Sequence, residues 1–137
     1  MFMSASSAVD RAAQKLEYLL KTGINEALDG VRAELKAGQR ELEDMQSTLR
    51  EAEKKYNHDS TESRLLSVIK EYACNVEAAI DSDFIEFMTR RRSVFQKMVL
   101  VFCCNVDESE YRRLIYVLKN IGAIRDTYLA LGLKCML

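Results

Sequence analysis

The chain has 137 residues and a formal charge of −1, with nine basic and ten acidic residues before His58 and eleven of each after it, so neither half is an electrostatic arm. This balance disfavours broad nucleic-acid binding, which needs a net basic face to displace counterions from phosphates. A hydrophobic share of 48% and a charged share of 30% exclude a disordered or membrane-protein composition, and the absence of proline points to long helices and an all-α class.

Ser4, Ser6 and Ser7 precede an alanine-rich stretch in which Val9, Ala13, Leu16, Leu20 and Ile24 recur at helical spacing, predicting a first helix from about Ser7. It runs into a heptad series. Leu28, Leu35, Leu42, Leu49 and Tyr56 recur every seven residues, with Val31, Met45 and Ala52 at intervening fourth positions. Such spacing lays the side chains along one narrow stripe that another helix must cover. Between Leu16 and Leu28 the intervals are all four, which displaces the stripe around Gly23. We therefore read helix 1 as residues 7–57, with a helix end at Gly23 as the alternative.

Asn57-His58-Asp59-Ser60 is a turn, and Asp59 with Glu62 has capping-box spacing. Leu65, Ile69, Tyr72, Val76, Ile80, Phe84, Phe87, Met98 and Phe102 then keep helical phase over residues 60–104, with Asp81-Ser82-Asp83 expected to kink or divide the helix. Asn105, Asp107 and Glu110 repeat the stop-and-cap pattern. A third helix follows at 107–121, with Tyr111, Leu114, Ile115, Leu118 and Ile121 on its face and Gly122 as its end; a short fourth helix is predicted at 124–133.

The whole reads as one helical domain, residues 1–137. Its predicted fold is a long antiparallel, coiled-coil-like hairpin, with additional C-terminal helices forming a small helical bundle. A turn near residue 59 makes facing positions sum to about 118. That register sets Leu49 near Ile69, Leu42 near Val76, Gly38 near Ile80 and Val31 near Phe87. The expected packing seam is Leu28, Val31, Leu35, Leu42, Met45, Leu49, Ile69, Val76 and Ile80. An intermolecular coiled coil on the same stripe is the competing reading. Folding back at Asp107 would lay the third helix beside the N-terminal segment, giving an aromatic-rich body and a two-helix arm tipped by His58.

Chemistry-bearing patterns are sparse. His58 is the only histidine, without a cysteine, a second histidine or a carboxylate pattern that would make a metal site or a triad. Lys55 stands where a di-iron Glu-x-x-His motif would need glutamate, and no glycine-rich phosphate loop exists. Glu41, Glu43 and Asp44, like Asp81 and Asp83, read as solvated faces. No catalytic residue, cofactor or metal is expected, and the chain is read as a non-enzyme.

Arg90, Arg91 and Arg92 with Lys97, joined by Arg112 and Arg113 if the third helix folds back, form the one candidate basic patch. Three consecutive arginines spread around a helix, so nucleic-acid binding is kept as a disfavoured alternative. Ser93 follows these arginines as a candidate phosphorylation site. Cys103 and Cys104 close a seven-residue apolar run from Met98, which suits a peripheral membrane role by acylation as a second alternative. That run is far short of the roughly 20 residues needed to span a bilayer, so no transmembrane segment is expected. Four cysteines without C-x-x-C spacing and a start without an export pattern predict an intracellular setting, cytoplasmic or nuclear. The expected function is a non-enzymatic protein-protein interaction or scaffold subunit that oligomerises or docks into a larger assembly, its partner a protein or a second copy of itself.

Overall fold

The computed structural model describes residues 4–22, 29–55, 60–86 and 108–136. Within them lie four long helices, α1 (Ala5–Thr22), α2 (Asp29–Lys55), α3 (Thr61–Ala79) and α4 (Glu108–Met136), and a short helical turn at 82–86. The protein is an all-α small helical bundle.

Each helix start has a local cause. Ser4 caps α1: its Oγ accepts from the Ser7 N–H at 3.2 Å and its carbonyl from the Ala8 N–H at 2.9 Å, so the helix begins two residues before the expected Ser7. The first turn of α1 holds no acid of its own. Glu53 of α2 supplies one, accepting from the Ser6 N–H at 2.7 Å and the Ser6 hydroxyl at 3.0 Å. A carboxylate there meets both unpaired amides and the positive end of the helix dipole.

Ser60, with extended φ −78° and ψ 158°, caps α3 by accepting from the Ser63 N–H at 3.1 Å, one residue later than the expected Asp59. At its other end α3 stops at Ile80, whose φ −105° and ψ 63° leave the helical region. Asp81 then restarts the chain by accepting from the Phe84 N–H at 2.7 Å. The predicted helix 60–104 is thus divided at Ile80 and Asp81, the second of the two outcomes expected at 81–83, because the Asp81 side chain competes for the Phe84 amide.

Gly122 does not end α4, contrary to the expectation of separate helices at 107–121 and 124–133. Ile121 and Ile124 are buried on either side of it, and the Thr127 hydroxyl donates back to the Ala123 carbonyl at 2.8 Å. A glycine inside a helix costs about 1 kcal/mol, whereas each buried isoleucine contributes about 1.5–3 kcal/mol. Burial wins.

The topology departs further from the predicted hairpin. Helix 1 does not run through 7–57: the chain folds back between Thr22 and Asp29, and α1 lies antiparallel on α2 with Ser6 beside Glu53. Helix α3 runs parallel to α1, with Arg11 at Glu77 and Tyr18 near Ile85. Helix α4 is antiparallel to α3, with Asn120 at Asn75 and Arg113 at Asp81, and parallel to α2, with Ile121 at Gly38 and Arg125 at Glu41. Round the bundle the order is therefore α1, α2, α4, α3, and α2 meets its diagonal neighbour α3 at only a few points.

The register summing to 118 is corrected accordingly: Ile121 covers Gly38, not Ile80. Leu42, Leu49, Ile69 and Val76 share one core but sit on diagonal helices. Phe87 falls outside the described residues. Helix α4 packs on α3 and α2, not beside the N-terminal segment. Nor is there a bare two-helix arm, since Tyr128 and Leu131 accompany α2 as far as Ala52 and Lys55. His58 lies outside the described residues.

Helix α1 shows how composition builds this arrangement. Ala5, Ala8, Val9, Ala12, Ala13, Leu16, Leu19 and Leu20 are all buried, a stripe wide enough to face two neighbours at once. Its alanines admit α2 and α3 closely without loss of helix propensity.

Candidate interaction surfaces

The heptad stripe is spent inside the chain. Leu35, Leu42, Leu49, Ile69, Val76 and Ile80 have no exposed surface, Met45 is buried, and Val31 is half-buried against the same core. Leu28 lies outside the described residues. The stripe offers a partner almost nothing while the bundle is closed.

Of the basic patch, Arg112 and Arg113 are exposed on α4. Arg113 lies over the Phe84 ring at 4.8 Å and 3.9 Å from Asp81, where cation–π attraction and charge both hold it. Its charge serves the α3–α4 contact. Arg90, Arg91, Arg92, Ser93, Lys97, Cys103 and Cys104 fall outside the described residues. Cys74 is a half-buried free thiol on α3.

The acids are similarly engaged. Glu41 receives two hydrogen bonds from the Arg125 guanidinium, one of them from Nη2 at 2.9 Å; Glu43 accepts from Gln39 at 3.0 Å; Glu77 pairs with Arg11 at 3.2 Å. The hydrogen bond that Arg125 donates to Glu41 raises the Arg125 pKa above its ordinary value, partly opposed by burial. Among the described residues no group of three potential ligands is placed to hold a metal ion. Among the described residues buried polarity is confined to Ser6 and Asn120. Asn120 accepts from Asn75 across the α3–α4 contact at 3.2 Å and donates to the Tyr116 carbonyl at 2.8 Å, so neither end of its amide is orphaned.

Crevices open on the surface of the described residues, two of them of substantial volume. The larger, about 780 Å³, runs between α1 and the 82–86 turn, with Arg11, Lys15, Tyr18, Glu77 and Ile85 in its walls. The smaller, about 390 Å³, lies where α2 and α4 end together, between Thr48, Lys55, Tyr128 and Gly132. Among the described residues, the large apolar side chains left exposed are Tyr18 (56%), Tyr111 (43%), Tyr116 (48%) and Leu129 (57%), three of them on α4. Sequence reasoning missed Tyr18 and Leu129 as surface features. Tyr18 had a signal, since it stands out of phase between Leu16 and Leu20; Leu129 was hidden by assigning it to a separate short helix.

No helix among the described residues is long and apolar enough to cross a membrane. Comparison with curated proteins and with solved structures gave no significant match. A family model does match: that of the Rx N-terminal domain, over residues 8–115. The matched stretch takes in almost all of α1, the whole of α2 and α3, and the first turns of α4. The chain belongs to the Rx N-terminal domain family, a domain associated with protein interaction.

Proposed function

We propose that this chain is a non-enzymatic protein-interaction module that docks into a larger assembly, or oligomerises, through its helix surfaces while its leucine stripe holds the bundle closed. The observation that carries this reading is the contrast between the stripe leucines Leu35, Leu42 and Leu49, which have no exposed surface, and large aromatic and aliphatic side chains left outside the core, at Tyr18, Tyr111, Tyr116 and Leu129. Tyrosine supplies wide apolar contact with a polar tip at low entropic cost, and removing such surface from water contributes about 25 cal/mol per Å². Family membership supports the same reading, because the Rx N-terminal domain is associated with protein interaction and NLR-type proteins. An intracellular setting fits such a role.

The test compares the chain in an extract of its own cells with the purified chain at matched concentration, by size fractionation and mass. The native chain should run in a species heavier than the monomer, and Tyr116→Ser should shift it toward monomer without lowering the thermal midpoint. Monomer mass in both extract and purified sample overturns the reading.

A further inference from the structure

We propose that the outer face of α4 pairs with the same face of a second copy, the two helices antiparallel about a two-fold axis beside Gly122. This rests on the interaction reading above and names its partner. Tyr111, Ile115, Leu118, Gly122 and Leu129 follow one another at intervals of four, three, four and seven residues, which sets them on one ridge of α4. Leu118 packs against the core edge, and the others are partly or largely exposed.

Gly122 is the first argument. It stands inside a 29-residue helix, where glycine costs about 1 kcal/mol against alanine, and a Cβ added there would meet nothing within 4 Å. The bundle itself has no use for it. Gly38 shows the contrast, since a Cβ there would come within 3.1 Å of Ile121. A glycine that faces open space on an apolar ridge lets another backbone approach closely.

Charge supplies the second argument and chooses the occupant. Arg112, Lys119 and Asp126 are exposed on one flank of the ridge at seven-residue intervals, two positive and then one negative. Parallel pairing would set this flank against the opposite flank of the second copy, so these charges would not meet one another. Antiparallel pairing near Gly122 brings Lys119 of each copy opposite Asp126 of the other, and Ile115 opposite Leu129. Within one chain Lys119 and Asp126 are about 10.5 Å apart along the axis, at 1.5 Å per residue, too far for an ion pair. Arg125 directs its guanidinium to Glu41 of α2, although the charge of neighbouring Asp126 also acts on it. Most of this ridge lies past residue 115, where the family match ends.

The ridge from Tyr111 to Leu129 is about 27 Å long. One helix face of that length is a small interface, so association in the micromolar range is expected. Sedimentation velocity on the purified full chain, from roughly 10 to 500 µM, should show mass rising from monomer to dimer. Gly122→Leu, which fills the axis position but meets open space in the monomer, should weaken dimerisation about tenfold or more without lowering the thermal midpoint. Lys119→Asp should weaken it by a similar factor, and Lys119→Asp combined with Asp126→Lys should restore it to within about threefold of wild type. The charge swap keeps the test valid if the leucine variant folds poorly. A wild-type chain monomeric throughout, or a double swap no better than the single change, overturns the pairing. If that monomeric chain is still heavier in cell extract, self-pairing fails while the interaction reading stands; monomer in both removes both.

Discussion

The two sides of α4 solve opposite problems. On the inner side Ile121 sits so closely over Gly38 that an added methyl would press on it at 3.1 Å, and Leu114, Val117 and Ile124 are fully buried around it. On the outer side, one residue further along, Gly122 looks into open space beside exposed Tyr111 and Leu129. The difference teaches that a glycine or a leucine has no meaning apart from what covers it. Side chains of the same kind make the core on one side of a helix and a surface on the other.

The largest expected effect breaks this comparison if it fails. Leu42→Asp puts a carboxylate into a fully buried position and removes the leucine packing, and should lower stability by about 4 kcal/mol or more, enough to unfold the domain. Leu129→Asp, at a position 57% exposed, should change it by about 0.5 kcal/mol or less. Urea denaturation followed by circular dichroism measures both. Equal losses would mean that the outer side of α4 is part of the core.

A smaller effect separates charge used inside the chain from charge left for a partner. Glu53→Ala removes the acceptor for both the Ser6 N–H and the Ser6 hydroxyl, and should cost about 2 kcal/mol, with fraying of α1 visible as faster amide exchange in its first turn. Asp126→Ala, on the exposed face of α4, should leave the denaturation midpoint unchanged. The pair shows that exposure alone does not mark an interaction surface.

The two glycines should then respond with opposite signs. Gly38→Ala sets a methyl 3.1 Å from both Cδ1 and Cγ2 of Ile121. Cδ1 can swing away, but Cγ2 branches from the β-carbon and moves only with χ1, so overpacking of about 1–3 kcal/mol outweighs a helix-propensity gain of about 1 kcal/mol. Gly122→Ala meets nothing and keeps the gain, raising stability by about 0.5–1 kcal/mol. Thermal midpoints moving in the same direction would show that α2 and α4 approach less closely than the geometry implies.

These positions also show where the sequence was legible. Leu35, Leu42 and Leu49 announce burial because a three-four spacing can lie on only one face, whatever covers it. The cover is not written in the same code. Diagonal α2 and α3 carry the phase that adjacent helices would, so the predicted facing of Gly38 and Ile80 was as consistent with the pattern as the actual facing of Gly38 and Ile121. Gly23 and Gly122 carried similar local signals for a helix end. The chain breaks in the region of the first because folding back lets α1 bury two faces, and continues through the second because Ile121 and Ile124 both reach the core. Tertiary burial, which no local window contains, decided each case. Of the candidate surface, the tyrosines of α4 were visible as an aromatic-rich region, but the ridge through Gly122 to Leu129 emerges only once α4 is one helix.

The smallest effect lies on the border between the two sides. Arg125 binds Glu41 with both arms of its guanidinium, yet roughly half of the arginine side chain and a third of the glutamate remain exposed, so solvent screens the pair. Arg125→Gln should therefore cost less than about 1 kcal/mol, and less again in 1 M salt, where the screening length falls to about 3 Å. The pH dependence has a definite sign. The hydrogen bond donated to Glu41 raises the arginine pKa, so its contribution is complete below the ordinary arginine value and is lost only as pH rises through the raised one, far above neutrality. Between about pH 6 and 9 the difference between wild type and Arg125→Gln should stay flat. A loss above about 2 kcal/mol, insensitive to salt, would place this pair with the buried side of α4 and narrow the outer face to the ridge through Gly122.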